Sequence, residues 1–369
     1  MAVSRGKAFA MEKQTEILKK LDKESLLPLL KVDADLFKRA EDKINVDLDI
    51  LENLDTIPVD TFVPFVKKKE KTVSFYPLFS SGSRRNDKVV GSIKRSGMNR
   101  VFVPKDQMDT LTDFFSQRTR AIMEDASVED SVKARYLYDN ARLLLTQAFD
   151  EKNVKKGVKK SGDYVKMVTK FVKTSPDAAT NLAAMLIIDY SLYTHCINVC
   201  LLAVSFGNFI GLDDEDLSYL SMGALFHDIG KIKIDEGILK KPGPLNDDEW
   251  KLMRNHPAMG LEILGPVKIF PSRAVEVVHY HHENLDGSGY PAALKKEQIS
   301  ELSKIVKILD CYDALTSKRW YKKAMVPFDA IKIIQDEMAN HVSHKYLRLF
   351  IAFMGNLGEK SQQKRSLPN

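Results

Sequence analysis

The stretch 225–291 constrains this chain most, because it places histidine beside carboxylate in apolar surroundings. It holds five of the eight histidines, and the pair His227-Asp228 directly follows Leu225-Phe226. Burying an imidazole and a carboxylate in a helical core is costly unless another group compensates their polar atoms, and a divalent metal ion does this well. The stretch therefore predicts a helical core built around a metal centre.

Other candidate ligands lie on separate predicted helices. His195 precedes the stretch, and Asp310 follows the apolar run 305–309. Alone, the pair His227-Asp228 would also suit a helix cap or a structural salt bridge. With the others it forms a nitrogen and oxygen set that suits iron, manganese or zinc and exceeds what one ion needs. The set consists of His195, His227, Asp228, His256, His281, His282 and Asp310.

A set of this size predicts two ions side by side, with Asp228 as a bridge between them. Two neighbouring ions can generate a hydroxide and hold a phosphodiester for in-line displacement. The residues therefore predict a metal-dependent phosphohydrolase core.

Residue patterning divides the chain into an N-terminal module and a helical remainder. Residues 11–55 are charged and helix-prone, whereas 59–66, 72–79 and 99–103 are rich in β-branched and aromatic residues, and a helical pattern begins at Lys105. We predict a mainly α protein. Its parts are a small α+β module at 1–125, a helical linker at 126–163, an all-helical bundle at 164–357 and a disordered tail at 358–369.

Charge and cysteine usage narrow the cellular setting. The net charge of +6 falls partly in local lysine runs, but no nucleic-acid-binding motif accompanies them. Three cysteines without a CxxC pair suit a reducing compartment, and the first residues lack the apolar region of a secretion signal, so we expect a cytoplasmic protein. The apolar window 183–210 is interrupted by Asp189, His195 and Asn198, which predicts a buried helix and no membrane span.

A series of ordered motifs follows the His-Asp pair along the chain. They are Gly230-Lys231, Lys241-Pro-Gly-Pro-Leu245, Glu249-Trp250, His256-Pro257, His281-His282-Glu283, Asp286-Gly-Ser-Gly-Tyr-Pro291 and Asp310-Cys-Tyr-Asp-Ala-Leu-Thr-Ser317. Together these motifs resemble the HD-GYP family of metal-dependent phosphohydrolases over roughly residues 180–335. The resemblance implies an all-helical bundle that hydrolyses the bacterial second messenger cyclic di-GMP to pGpG, and often on to GMP, with iron or manganese. It also implies that the seven residues of the set above are the metal ligands.

By the same resemblance, further residues act on the substrate. Lys231 would stabilise charge at the scissile phosphate or donate a proton to the leaving oxygen, although a solvated lysine at a helix end has the same sequence signature. Tyr290 would line the nucleotide pocket, and Gly289 would permit the tight backbone of its loop. Arg319 and Lys322 match positions that hold phosphate. The predicted catalytic residues are Asp228 and Lys231, and the predicted substrate contacts are Gly289, Tyr290, Arg319 and Lys322.

Two positions depart from the family pattern. Some members bind a third ion through a glutamate four residues before the first histidine ligand, where this chain has Ser191, so we predict two ions. Members commonly carry a Gly-x-x-Phe-Asp-Pro turn near the C-terminus, whereas this chain has His341-Val-Ser-His-Lys-Tyr346. The second departure would reshape the wall of the pocket.

Three functional hypotheses remain open at this point. The first is a cyclic di-GMP phosphodiesterase whose N-terminal module senses a signal or a protein partner and regulates the catalytic domain. The second is a receptor that binds cyclic di-GMP and signals through partner proteins with little turnover. The third is a hydrolase of other nucleotides, such as cyclic GMP-AMP or dNTPs. The resemblance also leaves a homodimer open.

Overall fold

The computed structural model describes residues 42–67, 72–186, 191–241, 243–318 and 324–366. The chain divides into two compact units, one ending at Arg118 and the other beginning at Thr119.

The first unit is a small α+β module, as the sequence predicted. Its elements are β1 (Lys43–Asp47), α1 (Leu48–Glu52), β2 (Thr56–Ile57), β3 (Thr61–Lys67), β4 (Thr72–Phe79), β5 (Ser83–Arg84), α2 (Asp87–Arg95), β6 (Arg100–Pro104), a 3-10 turn (Lys105–Gln107) and the start of α3 (Met108–Glu124). The strands form a four-stranded sheet in the order β1-β6-β3-β4 and a separate pair of β2 with β5. All pairs are antiparallel, and the β3–β4 register shifts between Thr61 and Phe62.

One local expectation is wrong in this unit. Residues 43–47 fall in the segment that looked helix-prone, but they form β1, which pairs with β6 from Lys43↔Pro104 to Asp47↔Arg100. Val101 and Val103 of β6 are fully buried, and pairing against such a strand outweighs local helix propensity. The rest of the predicted helical segment, 11–41, lies outside the described residues.

The second unit is all-helical. Its elements after α3 are α4 (Asp130–Ala148), α5 (Val154–Thr174), α6 (Ala178–Ala184), α7 (Leu192–Phe209), α8 (Asp214–Phe226), a 3-10 turn (Ile229–Lys233), α9 (Glu236–Leu239), α10 (Asp247–Met253), α11 (His256–Leu264), α12 (Ser272–Tyr280), a second 3-10 turn (Lys296–Gln298), α13 (Glu301–Thr316), α14 (Pro327–Glu337) and α15 (His344–Ser366).

Helix α7 is the central element of this unit. It packs against α4, α5, α8 and α13, and its residues are buried continuously from His195 to Gly207. A helix that is apolar on all sides needs neighbours on all sides. Within the described residues, α7 is the one helix long and apolar enough to cross a membrane, and 72% of that window is buried inside the structure. It therefore serves as a core helix here.

Two predicted boundaries need correction. Residues 126–163 were predicted as a linker, but α4 and α5 lie in the second unit and contribute buried side chains such as Leu137 and Tyr164 to its core. The tail was predicted to be disordered from residue 358, but α15 continues to Ser366. The segment 359–366 contains no glycine or proline and is rich in Glu, Lys, Gln and Arg, which all favour helix.

Candidate metal centre

The seven predicted ligands come from five separate positions of the helical unit and meet in its interior. His195 lies in the first turn of α7, His227 ends α8, and His256 begins α11. His281 follows the last residue of α12, and Asp310 lies in the middle of α13. The remaining two are the direct neighbours Asp228 and His282. A helix ends at His227-Asp228 and another ends at His281-His282. Because the backbone leaves the helical path there, both side chains of each pair can reach the centre.

A close backbone approach joins two of these segments. Gly230 follows the His-Asp pair, and a Cβ atom at Gly230 would lie 1.9 Å from the carbonyl oxygen of His256. Any side chain there would push the 3-10 turn away from the start of α11. Glycine at this position therefore sets the spacing between two ligand-bearing segments.

The ligand atoms fall into two groups, in each of which all atoms lie within 4.8 Å of one another. The first group is Asp228, His256, His281 and His282, and the second is His195, His227 and Asp310. Each group resembles the coordination shell of one ion in size and in donor type.

Asp228 faces both groups with different oxygens. Its Oδ1 lies 3.2 Å from Nε2 of His256 and 3.9 Å from Nε2 of His281. Its Oδ2 lies 3.5 Å from Nε2 of His227 and 3.6 Å from Nε2 of His195. This is the arrangement expected of a carboxylate that bridges two ions.

Asp310 also faces both groups with different oxygens. Its Oδ1 lies 3.1 Å from Nε2 of His195, in the second group, and its Oδ2 lies 3.8 Å from Nδ1 of His282, in the first. Both carboxylates of the centre therefore present one oxygen to each group.

Hydrogen bonds fix the orientation of four imidazole rings. In three of them Nδ1 donates to the carbonyl oxygen of the residue three positions earlier, and in the fourth it donates to a carboxylate. Because these acceptors have no hydrogen to give, the proton lies on Nδ1 and the lone pair of Nε2 faces the centre. The pairs are His227 with Ala224 at 2.7 Å, His256 with Met253 at 2.7 Å, His281 with Val278 at 2.9 Å, and His195 with Asp313 at 2.7 Å.

Three of the histidines are held in their neutral form. Burial lowers the pKa of His227, and it lowers the pKa of His281 and His282 still further, because an imidazolium is poorly solvated in this interior. The neighbouring carboxylates oppose this change without reversing it. A neutral imidazole is the form that binds a metal.

The carboxyl groups are held ionised. Burial is the largest influence on the pKa of Asp228 and Asp310 and raises it, yet the pKa of each lies well below its usual value. Several neighbours together outweigh burial: the Lys231 ammonium is the largest of these influences at Asp228, and the contact with His195 is the largest at Asp310. The centre therefore offers neutral nitrogens and negative oxygens.

Facing lone pairs show that this donor set fits a cation. Nε2 of His227 lies 3.1 Å from Nε2 of His195, and Nε2 of His256 lies 3.3 Å from Nε2 of His281. With both protons on Nδ1, neither pair can form a hydrogen bond. Oδ1 of Asp228 is also buried without a hydrogen-bond donor. A divalent ion in each group would satisfy these atoms.

A thiol also lies near the centre. Cys196 forms a third possible group with His227 and Asp228. Burial raises the pKa of this thiol well above its usual value, so the thiol is protonated in the metal-free chain. Cys196 is fully buried in the core.

The predicted substrate residues that the structure describes line the rim of the centre. Nζ of Lys231 lies 2.5 Å from Oδ2 of Asp228. The ring of Tyr290 stacks on the ring of His282, with centroids 4.7 Å apart. A Cβ at Gly289 would lie 2.2 Å from the backbone nitrogen of Asn284, so glycine permits the tight packing of the loop. Arg319 and Lys322 lie outside the described residues.

Two buried acids with structural roles at this site were missed from the sequence. Asp313 accepts a hydrogen bond from His195 and another from Asn198 at 2.9 Å. Glu283 accepts from the backbone nitrogens of Ala292 at 2.6 Å and Leu294 at 3.0 Å, which secures the loop that carries Tyr290. Both acids lie within the matching motifs, three residues after Asp310 and directly after His282, and that placement was the available signal.

The two departures from the family pattern have clear structural settings. The hydroxyl of Ser191 accepts from the backbone nitrogen of Thr194 at 3.1 Å, in a capping box that begins α7. His341 contacts the loop near the rim, because its carbonyl accepts from Leu285 and its Nε2 lies 3.5 Å from a carboxylate oxygen of Asp286. The altered C-terminal segment thus supports the loop that carries Tyr290.

Comparison with known proteins was consistent with this geometry. The HD-domain family model matches residues 166–345. The chain is 34% identical over 195 residues to the cyclic di-GMP phosphodiesterase PA4108 of Pseudomonas aeruginosa, covering 53% of this chain and 47% of that protein. It is 42% identical over 116 residues to the cyclic di-GMP phosphodiesterase response regulator RpfG of Xanthomonas campestris, covering 31% of each chain.

A third relative has a different named substrate. The 3'3'-cGAMP-specific phosphodiesterase 3 of Vibrio cholerae is 38% identical over 128 residues, covering 35% of this chain and 27% of that protein. The chain thus spans about half or less of the length of these three relatives. Among solved structures, Bd1817, an HDG"Y"P protein from Bdellovibrio bacteriovorus, superposes with a TM-score of 0.68 over 85% of this chain and 100% of that chain. At 14% identity this similarity shows the fold.

Proposed function

We propose that residues 166–345, which the HD-domain family model matches, form a domain of the HD-GYP type and that this protein is a metal-dependent phosphodiesterase. Its substrate is cyclic di-GMP and its product is pGpG, and a second hydrolysis to GMP is tested separately below. The observation that carries the proposal is the pair of facing ligand groups that share Asp228 and Asp310. Two iron or manganese ions held there would supply Lewis acidity to a phosphodiester and activate a water for attack.

The chain's own residues account for the remaining needs of the reaction. Asp228 and Asp310 would neutralise positive charge in both ligand groups, and the Nδ1 hydrogen bonds keep the imidazole lone pairs aimed inwards. Lys231, with its ammonium beside Asp228, lies where it can neutralise charge on the phosphate oxygens or protonate the leaving oxygen. Tyr290 forms a wall of the nucleotide pocket. Arg319 and Lys322 are proposed to hold phosphate on the basis of the family resemblance.

Product analysis tests the proposal directly. Anaerobically purified protein loaded with iron or manganese is incubated with cyclic di-GMP, and the products are separated by chromatography. Appearance of pGpG or GMP is expected, and the ratio of the two shows whether a second hydrolysis follows the first. The double variant His227→Ala/Asp228→Ala should show no turnover. His344→Ala, which removes an exposed histidine outside both groups, should match the wild type.

Two other outcomes correspond to other functions. Cyclic di-GMP that binds to the metal-loaded protein and stays intact would identify a receptor and refute the enzyme. Relatives named as 3'3'-cGAMP-specific phosphodiesterases make this cyclic dinucleotide the second candidate substrate. Faster turnover of 3'3'-cGAMP than of cyclic di-GMP would establish it.

We also propose a regulatory role for the first unit and a cytoplasmic location. Among the described residues, all groups of potential metal ligands lie in the second unit, which leaves the α+β module available to sense a signal or a protein partner. All three cysteines are free thiols, which supports a reducing compartment. A homodimer is the proposed assembly, and light scattering on the intact protein tests it.

A further inference from the structure

Trp250 and Arg254, which have no role in the proposed reaction, form a cluster with Tyr290 beside the metal centre. The guanidinium carbon of Arg254 lies 5.9 Å from the ring centroid of Trp250 and 5.7 Å from that of Tyr290. The ring of Tyr290 in turn stacks on His282, a member of the first ligand group. The cluster therefore extends outwards from the ligands.

The helix that carries this cluster is well anchored. Trp250 and Arg254 are four residues apart at the end of α10, so they lie on one face of it. A capping box between Asn246 and Glu249 begins this helix, and Nζ of Lys241 lies 2.5 Å from Glu249. These contacts preorganise the cluster.

The chain then connects the cluster to the centre within two residues. His256, a member of the first ligand group, follows Arg254 closely, and its ring centroid lies 6.4 Å from that of Tyr290. A ligand held by the metal centre through its phosphate would therefore have its nearer base beside the cluster.

Exposure and hydrogen bonding suggest that the cluster receives a ligand. Trp250 is 46% exposed, although it is one of the largest apolar side chains of the unit. Among the residues that the structure describes, the guanidinium of Arg254 has ring contacts and no acceptor for its N–H groups. Arg273 offers a contrast, because it also lies over a ring, that of Tyr219, but forms an ion pair with Asp216.

We propose that Trp250 and Arg254 form a guanine subsite, in which the indole stacks on the base and the guanidinium donates to its O6 and N7. This inference rests on the proposed function and adds the base specificity to it. Guanine presents two acceptors on this edge, which match the two donors of an arginine fork, whereas adenine presents one acceptor and one donor. Stacking of a base on an aromatic ring or on a guanidinium plane is a common means of holding single nucleotides.

Steady-state kinetics with three cyclic dinucleotides and one base-free substrate test the subsite. Arg254→Ala should raise KM for cyclic di-GMP by about 10-fold or more and leave kcat within about twofold, since the subsite holds the base and lies away from the scissile bond. Hydrolysis of bis(p-nitrophenyl) phosphate, which has no base, should be unchanged. Arg254→Gln should shift the preference from cyclic di-GMP through 3'3'-cGAMP towards cyclic di-AMP, because a glutamine amide matches adenine.

Two further variants separate stacking from general effects on the fold. Trp250→Leu should raise KM for all three cyclic dinucleotides, and Trp250→Phe should restore most of the loss by keeping a ring. Arg273→Ala is the matched control, because it removes an arginine–tyrosine contact elsewhere in the unit, and it should leave all substrates unaffected. The subsite is overturned if Arg254→Ala leaves KM for cyclic di-GMP unchanged or slows the base-free substrate equally.

Binding measurements distinguish failure of the subsite from failure of the proposed function. If the manganese-loaded wild type binds cyclic di-GMP without hydrolysing it, the enzyme proposal fails. Weaker binding by Arg254→Ala then still supports the subsite, and equal binding overturns it. If the wild type cleaves bis(p-nitrophenyl) phosphate but neither binds nor cleaves cyclic di-GMP, the subsite is wrong although the metal centre is active.

Discussion

Replacing Asp313 with asparagine tests how the second ligand group is held together. The Asp313 carboxylate accepts three hydrogen bonds, from Nδ1 of His195 at 2.7 Å, from Asn198 at 2.9 Å and from the hydroxyl of Ser317 at 3.2 Å. An amide has only one oxygen, so its NH2 group must face either His195 or Asn198. If it faces His195, the imidazole proton moves to Nε2, and the lone pair that would bind the ion is lost.

The expected loss of metal affinity is moderate, because Asp313 supports the orientation of one ligand, His195, and does not itself belong to either ligand group. Removing such a supporting carboxylate typically weakens metal binding by about 10- to 100-fold, which corresponds to roughly 1.4–2.7 kcal/mol. The loss should be confined to the group of His195, His227 and Asp310, because Asp313 is hydrogen-bonded to no histidine of the other group. Asp313→Asn should therefore lose one ion at chelator concentrations at which the wild type keeps both.

Metal analysis by mass spectrometry after equilibration with graded chelator provides the measurement. Ser317→Ala is the matched control, because it removes the 3.2 Å hydrogen bond to the same carboxylate and leaves the contact with His195 in place. Its metal affinity should stay within about threefold of the wild type, since the carboxylate keeps its hydrogen bonds from His195 and Asn198 and the supported ligand stays oriented. If Asp313→Asn keeps both ions at wild-type affinity while remaining folded, the supporting role assigned to Asp313 is refuted.

Three further predictions concern turnover, metal removal and pH. Lys231→Ala should keep both ions and lower kcat by about 100-fold, because it removes one donor that stabilises charge in the transition state. Lys233→Ala is the control: it removes an exposed ion pair on the same turn and should leave kcat unchanged. Chelation should lower Tm by roughly 5–10 °C in calorimetry, because ligand at 100 times its Kd contributes about 2.7 kcal/mol and each kcal/mol shifts Tm by about 2–4 °C in a domain of this size. The third prediction concerns the metal-free protein, whose free energy of unfolding is measured with urea at several pH values. This free energy should fall as the pH drops below about 6.5, by up to roughly 1.4 kcal/mol per pH unit for each of three histidines. The sign follows because the pKa of His227, His281 and His282 is lowered from 6.5 by folding, so the unfolded chain takes up protons in this range that the folded chain does not.

Each of these predictions has a result that contradicts it. Unchanged kcat in Lys231→Ala would remove the role given to that ammonium. An identical Tm with and without chelator would show that the centre does not bind metal under those conditions. A free energy of unfolding that stays constant between pH 7.5 and 5.5 would mean that the three histidines titrate alike in the folded and unfolded chain.

The sequence predicted which residues meet at the centre better than it predicted the hydrogen bonds and contacts between them. Histidine beside aspartate in an apolar helix indicates a metal centre by its chemistry alone, and the structure brings all seven predicted ligands together, although their role as ligands stays a prediction. Two features depend on how α7 packs against α13. One is that Asp310 presents one oxygen to each ligand group, and the other is the hydrogen bond from His195 to Asp313. His195 and Asp313 are 118 positions apart in the chain, and no local sequence pattern predicts their contact.

The same limit explains the errors in the fold. The segment 43–47 forms a strand because β6 is available as a partner, and its composition alone favours helix. The supposed linker belongs to the core because the apolar faces of α4 and α5 find neighbours there. Helix α15 continues to Ser366 because its charged residues have high helix propensity, a signal that was read as disorder.

The sharing of two carboxylates between the groups has an evolutionary consequence. Each histidine of the set lies in one of the two ligand groups, so its loss would damage one proposed ion site and leave the histidines of the other group in place. Asp228 and Asp310 both present one oxygen to each group, so the loss of either acid would damage both proposed sites in one step. Descendants that lose catalysis but keep the nucleotide should therefore diverge first at their histidines. In such lineages the aspartates would be the last of these positions to change.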